Sequence, residues 1–218
     1  MRARVQREWR WGVLWLGFGV LLPLVGEADD AALDWSRLFA GEVLATAVQS
    51  RDGVPGVRAM FTVTASRERI WSVFVDYDNF PQFFPGIKDL KVLEQDEKSA
   101  KVAFYTPVAL MPYRYVLHRR YVEPGRRLTW TRLSGSFKSI DGSWEIRDTP
   151  RSGVSLVVYE SFVNIGQLVP TTLVQRGALR RVRDMGLRLR AWIEARDLAG
   201  YERQEERPYA ADRQGGTD

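Results

Sequence analysis

Apolar residues recur in this chain with three spacings, and each spacing points to a different kind of element. Through the middle the period is close to two, the mark of a half-buried strand. Gly41 to Gln49 and Val57 to Thr64 read as strands joined by a turn at Arg51-Asp52-Gly53-Val54-Pro55-Gly56. Five more strand-like runs follow, Leu90–Leu93, Ala100–Thr106, Tyr113–Val122, Arg127–Leu133 and Ser143–Arg147, with Val154–Val163 a sixth. Asp96-Glu97-Lys98, Pro124-Gly125, Asp141-Gly142 and Ser152-Gly153 are turn signals between them. Consecutive short strands with tight turns make an antiparallel sheet.

Near the end the period changes to three or four. Val174, Ala178, Val182, Met185, Leu189 and Trp192 form one apolar stripe, which predicts a helix from about Thr172 to Leu198. Pro170 stands before it, and Thr171 or Thr172 can cap it. Arg180, Arg181, Arg183, Arg188 and Arg190 lie mainly off the stripe. They either sit in water on a helix that covers the sheet or touch anionic lipid headgroups. Gly177 and Gly186 would each weaken an exposed helix by ~1 kcal/mol, so their use is close approach to the sheet or room for a ligand. A shorter helix is predicted after Ser66, a plausible N-cap, through about Val75. Phe80 to Gly86 is an aromatic segment broken by Pro81 and Pro85.

The third spacing is no spacing at all. Gly12 to Gly26 is an uninterrupted apolar run behind Arg2, Arg4, Arg7 and Arg10, and Gly26-Glu27-Ala28 offers small residues for a cut after Ala28. That is the layout of a secretory signal over residues 1–28, with an uncleaved anchor to the inner membrane over residues 12–26 as the alternative. The expectation is an exported, periplasmic protein. A cut would remove four Arg and two Glu, lowering the net charge from +5 to +3. So mild a charge makes nucleic acid a poor partner. After Gly200 the chain is polar and charged with few large apolar groups, and residues 200–218 are expected to be a disordered tail. That leaves one domain over residues 36–199. Two end helices must cover one face of an antiparallel sheet, an α+β arrangement. A curved sheet around one long helix leaves room for a pocket.

Composition narrows the chemistry. With no cysteine, disulfides, thiol nucleophiles, cysteine zinc sites and a lipoprotein anchor are excluded. The single His118 cannot make a two-histidine metal site. Asp76-x-Asp78 begins like a calcium loop but fails at its later positions, so both acids are turn residues and no metal or other cofactor is expected. There is no phosphate-binding glycine loop, dinucleotide fingerprint or serine elbow. What remains is aromatic. Phe80, Phe83 and Phe84 are core or a cavity mouth; Trp130, Trp144 and Tyr159 are core or cavity wall. Along Tyr113–Val122 the more apolar face carries Tyr113, Tyr115, Leu117, Arg119 and Tyr121, with His118 on the other. Turned inward, Arg119 needs a partner or an anionic ligand group. Glu160 can be that partner, in a structural pair; alternatively either residue faces the cavity as a ligand or acid/base group.

The stretch from Arg69 to Lys88, with Asp76-Tyr77, Phe80-Pro81 and Phe84-Pro85 after a helix, resembles the START-like (SRPBCC) superfamily of helix-grip proteins. It looks most like the polyketide cyclase/dehydrase and coenzyme Q-binding branch. Gly142-x-Trp144-x-Ile146, Val157-x-Tyr159 and the closing helix extend the likeness over roughly Val57 to Ala195. The export segment and the strand before Val57 depart from the pattern. The resemblance implies a curved antiparallel sheet wrapped around the long C-terminal helix, with two short helices after the early strands. It also implies an apolar cavity for a lipid, isoprenoid quinone or polycyclic molecule.

The first reading is an exported monomer that binds or transfers such a molecule, with transient contact at a membrane surface. Its cavity would measure several hundred Å3 by order of magnitude. The binding residues would be Phe80, Phe83, Phe84, Tyr105, Tyr115, Arg119, Trp130, Trp144, Tyr159, Met185 and Leu189. The alternatives are a cyclase or dehydratase using Arg119, Glu160 and Tyr159, and a protein-interaction module without a ligand.

Overall fold

A computed structural model of the chain describes residues 33–84, 86–108, 111–166 and 171–205. The export segment, Pro85 and residues 206–218 lie outside the described residues. Eight strands carry the fold: β1 (Leu44–Gln49), β2 (Pro55–Val63), β3 (Asp89–Gln95), β4 (Ser99–Val108), β5 (Met111–Glu123), β6 (Arg127–Gly135), β7 (Ser139–Asp148) and β8 (Ser155–Asn164). They form one antiparallel sheet in the order β1-β2-β8-β7-β6-β5-β4-β3. After β2 the chain crosses to the far edge through two short helices, α2 (Arg67–Phe74) and α3 (Phe80–Phe83), then meanders back until β8 pairs with β2. The long helix α4 (Thr171–Glu205) closes the fold. This is the expected α+β helix-grip architecture.

Local chemistry sets the boundaries. The Ser66 hydroxyl accepts from the Arg69 amide at 3.2 Å and starts α2, an N-cap as the sequence suggests. At the β3–β4 turn the Asp96 carboxylate accepts the Lys98 and Ser99 amides, each at 2.7 Å, which holds its pKa below the ordinary value. At the two ends of the described chain the boundaries differ from expectation. A five-residue helix, α1 (Trp35–Phe39), precedes β1. It is too short to show periodicity, and tertiary contacts hold it: Leu38 is fully buried and its carbonyl accepts the Thr62 hydroxyl at 2.8 Å. At the other end, α4 continues to Glu205, past its expected close at Leu198 and into the stretch expected to be tail. Glu and Arg propagate a helix well.

The seat of α4 decides where the interior is full and where it is open. Val182, Met185, Leu189 and Ile193 are buried, so the apolar stripe is real in its central part. It comes down on the β1–β2 side of the sheet. A Cβ on Gly186 would stand 2.9 Å from Val43 and 3.2 Å from Phe61, so this glycine serves close approach. Arg190, expected in water, is half-buried; its Nε donates to the Thr62 carbonyl at 2.7 Å and its Nη1 to the Gly41 carbonyl at 2.5 Å. Arg180, Arg181, Arg183 and Arg188 are exposed as expected. Under the β4–β8 part of the sheet it is α2 and α3, rather than the described part of α4, that face the strands. Phe74 of α2 stacks on Trp144 with ring centroids 4.7 Å apart.

Candidate ligand cavity

Between the inner face of β4–β8 and α3 lies a cavity of about 180 Å3. Its roof is Phe80, Phe84 and Ile87, from α3 and the turn after it. Its floor comes from alternate strand positions: Phe104 on β4, then Tyr115, Leu117 and Arg119 on β5, and Trp130 on β6. Ile140 and Trp144 on β7 and Tyr159, Ser161 and Val163 on β8 complete it, with Phe137 from the β6–β7 turn. Period-two alternation brings every second side chain of each strand to this face. Arg119, Trp130 and Trp144 are buried at one end, whereas Ile87, Phe137 and Val163 are only partly covered, which puts the mouth at theirs.

The walls are a continuous set of ring contacts. Phe80 stacks on Phe84 at 5.2 Å, Phe104 on Tyr115 at 5.3 Å and Trp130 on Tyr159 at 5.6 Å; Trp144 meets Tyr159 at 4.6 Å. Gly142 makes room for this. A Cβ there would collide with the Trp130 indole and the Glu160 carbonyl. Burial pushes the Tyr159 hydroxyl up to about 12, against the pull of the Ser161 hydroxyl, and burial raises Tyr115 as well. Both phenols are therefore neutral at neutral pH.

Arg119 is the charge in this wall. It is 2% exposed. Its guanidinium carbon lies 5.0 Å from the Tyr77 ring centroid, 4.9 Å from Phe80 and 6.0 Å from Trp130. The Tyr77 hydroxyl, itself bonded to that of Tyr121 at 3.0 Å, lies near enough to favour the charged form. Even so, neither Nη1 nor Nη2 has a hydrogen-bond acceptor among the described residues. Burial lowers the pKa, yet an arginine starts so high that it stays protonated.

Seven of the eleven residues expected at the site line this cavity: Phe80, Phe84, Tyr115, Arg119, Trp130, Trp144 and Tyr159. Phe83 is buried behind it, against Phe80 and Trp192. Three expectations are corrected. Tyr105 turns to the outer face, where Arg114 covers its ring at 4.5 Å, because its neighbour Phe104 takes the inner position. Met185 and Leu189 pack into the core on the β1–β2 side and do not line the cavity. The Arg119–Glu160 pair does not form. Glu160 sits beside inward-facing Tyr159 and Ser161, so it points outward and pairs across the β2–β8 ladder with Arg58 at 2.5 Å. The volume is also smaller than the several hundred Å3 expected. A wider groove of about 630 Å3 runs between β1 and α4, lined by Val43, Met60, Arg183 and Leu187, but it lies open on the surface.

Sequence reasoning missed Ile87, Phe104, Leu117, Phe137, Ile140, Ser161 and Val163 as lining residues. Phe104 and Leu117 were readable as alternation partners of Val102 and Arg119. Phe137 and Ile140 fall in a stretch read as connection, because β7 begins at Ser139 rather than Ser143.

A model of polyketide cyclases/dehydrases and lipid transport proteins matches residues 63–185, more than half of the chain. The chain belongs to that family. Solved structures with the family's fold resemble it throughout their length. A START superfamily protein from Mycobacterium smegmatis is 18% identical over 64% of this chain and 97% of its own, with a TM-score of 0.56. A STAR-related lipid transfer protein from Xanthomonas axonopodis is 14% identical over 69% and 93%, with a TM-score of 0.57. The Zhui aromatase/cyclase from Streptomyces is 20% identical over 65% and 94%, with a TM-score of 0.53. No curated protein shows significant sequence similarity to the chain.

Proposed function

We propose that this family member binds a compact apolar molecule in the cavity under β4–β8 and carries it, as an exported protein outside the cytoplasm. The observation that supports the reading is the ring-walled space itself, which stays open while the β1–β2 half of the interior is packed. Drug-sized ligands occupy about 300–1,000 Å3. A space of about 180 Å3 suits a ring system, a quinone head or a short chain, with any longer part passing out at Phe137 and Val163. Binding is favoured over turnover by the groups in the wall. A cyclase or dehydratase needs a group that exchanges a proton near neutral pH. Among the described lining residues the titratable ones are Arg119, Tyr115 and Tyr159, and all three hold their protons there.

The test is extraction of the purified protein with organic solvent, followed by mass spectrometry and by displacement of a fluorescent apolar probe. An extracted apolar compound that displaces the probe is the expected result. Protein that yields no such compound and leaves the probe unbound would remove the reading.

A further inference from the structure

Resting on the carrier reading, we propose that the carried molecule has a single carboxylate, received between the two Nη groups of Arg119 at the closed end of the cavity. Three observations meet here. First, the guanidinium is buried and charged, with no counter-charge beside it; the acidic residue nearest in sequence pattern, Glu160, is committed to Arg58 on the opposite face of β8. Second, Tyr77, Phe80 and Trp130 surround the group with rings, which attract a cation, and the Tyr77 hydroxyl is its one side-chain hydrogen-bond partner among the described residues. Its two Nη groups, closed off from water and without acceptors among the described residues, are what is left for a ligand that parts the rings at the buried end of the cavity. Third, two donors on one planar group match two oxygens on another, the bidentate fork by which arginine takes a carboxylate.

Charge balance selects among anions. One guanidinium neutralises one negative charge, and the described lining residues offer no second cation. A phosphate monoester, with nearly two charges at neutral pH, would enter in excess. A neutral ketone can accept from both donors but leaves the buried charge unbalanced. Size selects the rest. About 180 Å3 is the liquid volume of about six waters, room for the carboxylate with one ring and little more.

Calorimetric titration of the full chain at pH 7 with phenylacetate and with its neutral amide tests this. The acid is expected to bind roughly tenfold or more tighter than the amide, the effect of one or two charge-assisted hydrogen bonds. Arg119→Met should abolish that preference while the amide still binds. Arg119→Lys, a point charge without the fork, should fall between. Equal affinity of acid and amide for the wild type, or an acid preference that survives Arg119→Met, overturns the carboxylate while leaving the cavity reading standing. Binding of neither probe to the wild type overturns both.

Discussion

Replacing Arg119 by methionine should make the empty protein more stable. Taking an unpaired charge out of water costs several kcal/mol, and replacing buried charge by apolar side chains of similar size is often neutral or stabilising. The three rings within 6.0 Å return part of that cost, at ~0.5–2 kcal/mol each, Trp130 least because it lies at the limit of reach. Neither Nη1 nor Nη2 returns more, since neither has an acceptor among the described residues. Methionine replaces the stem of the side chain without charge and, being flexible, fills part of the space the guanidinium leaves beside Trp130. The balance favours the variant by about 2 kcal/mol. For a chain of this size that raises the melting temperature by roughly 4–8 °C. Thermal and urea denaturation of ligand-free wild type and variant measure it. A melting temperature lowered by several degrees would refute the reasoning, because the guanidinium would then be holding the fold together rather than waiting for a ligand.

Gly142→Ala forces a methyl group into the Trp130 indole and the Glu160 carbonyl, so urea unfolding should show a loss of about 1–3 kcal/mol, with weakened probe binding as the indole shifts. Glu160→Gln weakens a partly buried pair on the outer face; it should cost about 1 kcal/mol in the same assay and leave probe affinity unchanged, unlike substitutions at Arg119. The alkaline limb of stability follows from Tyr159: the unfolded chain releases that proton near 10.0, while the folded protein holds it to about 12. Its stabilisation is complete below the first value and lost as pH rises through the second. The urea midpoint should therefore be level near neutrality and fall above about pH 10, a fall that Tyr159→Phe reduces.

The fold was legible because alternation and turn residues repeat often enough to support one another. All eight strands are announced in the sequence, β1 and β2 by the runs Gly41–Gln49 and Val57–Thr64 and β3–β8 by the six that follow, and Ser66 marks the start of α2 by the chemistry of its hydroxyl. The site was legible only in part, because alternation divides a strand into two faces without saying which is concave. On β5 the faces differ enough in polarity to turn Arg119 inward correctly. On β8 both are apolar, with Val158 and Phe162 on one side and Val157 and Tyr159 on the other, so Glu160 was assigned to the wrong one. The position of α4 is a tertiary fact. Its stripe shows that Met185 and Leu189 are buried, but nothing in their spacing shows that they press on the β1–β2 side, away from the cavity. Similarly, the absence of a partner for the Arg119 Nη groups depends on every element that surrounds them, and no local pattern records it.

Native mass spectrometry of the purified protein tests the account at its centre, when the wild type is compared with Val163→Trp, a variant that plugs the mouth. The account predicts one small molecule bound to the wild type, released on collisional heating, and a bare mass for the plugged variant. An equal adduct on both, or a bare mass for both, would contradict it.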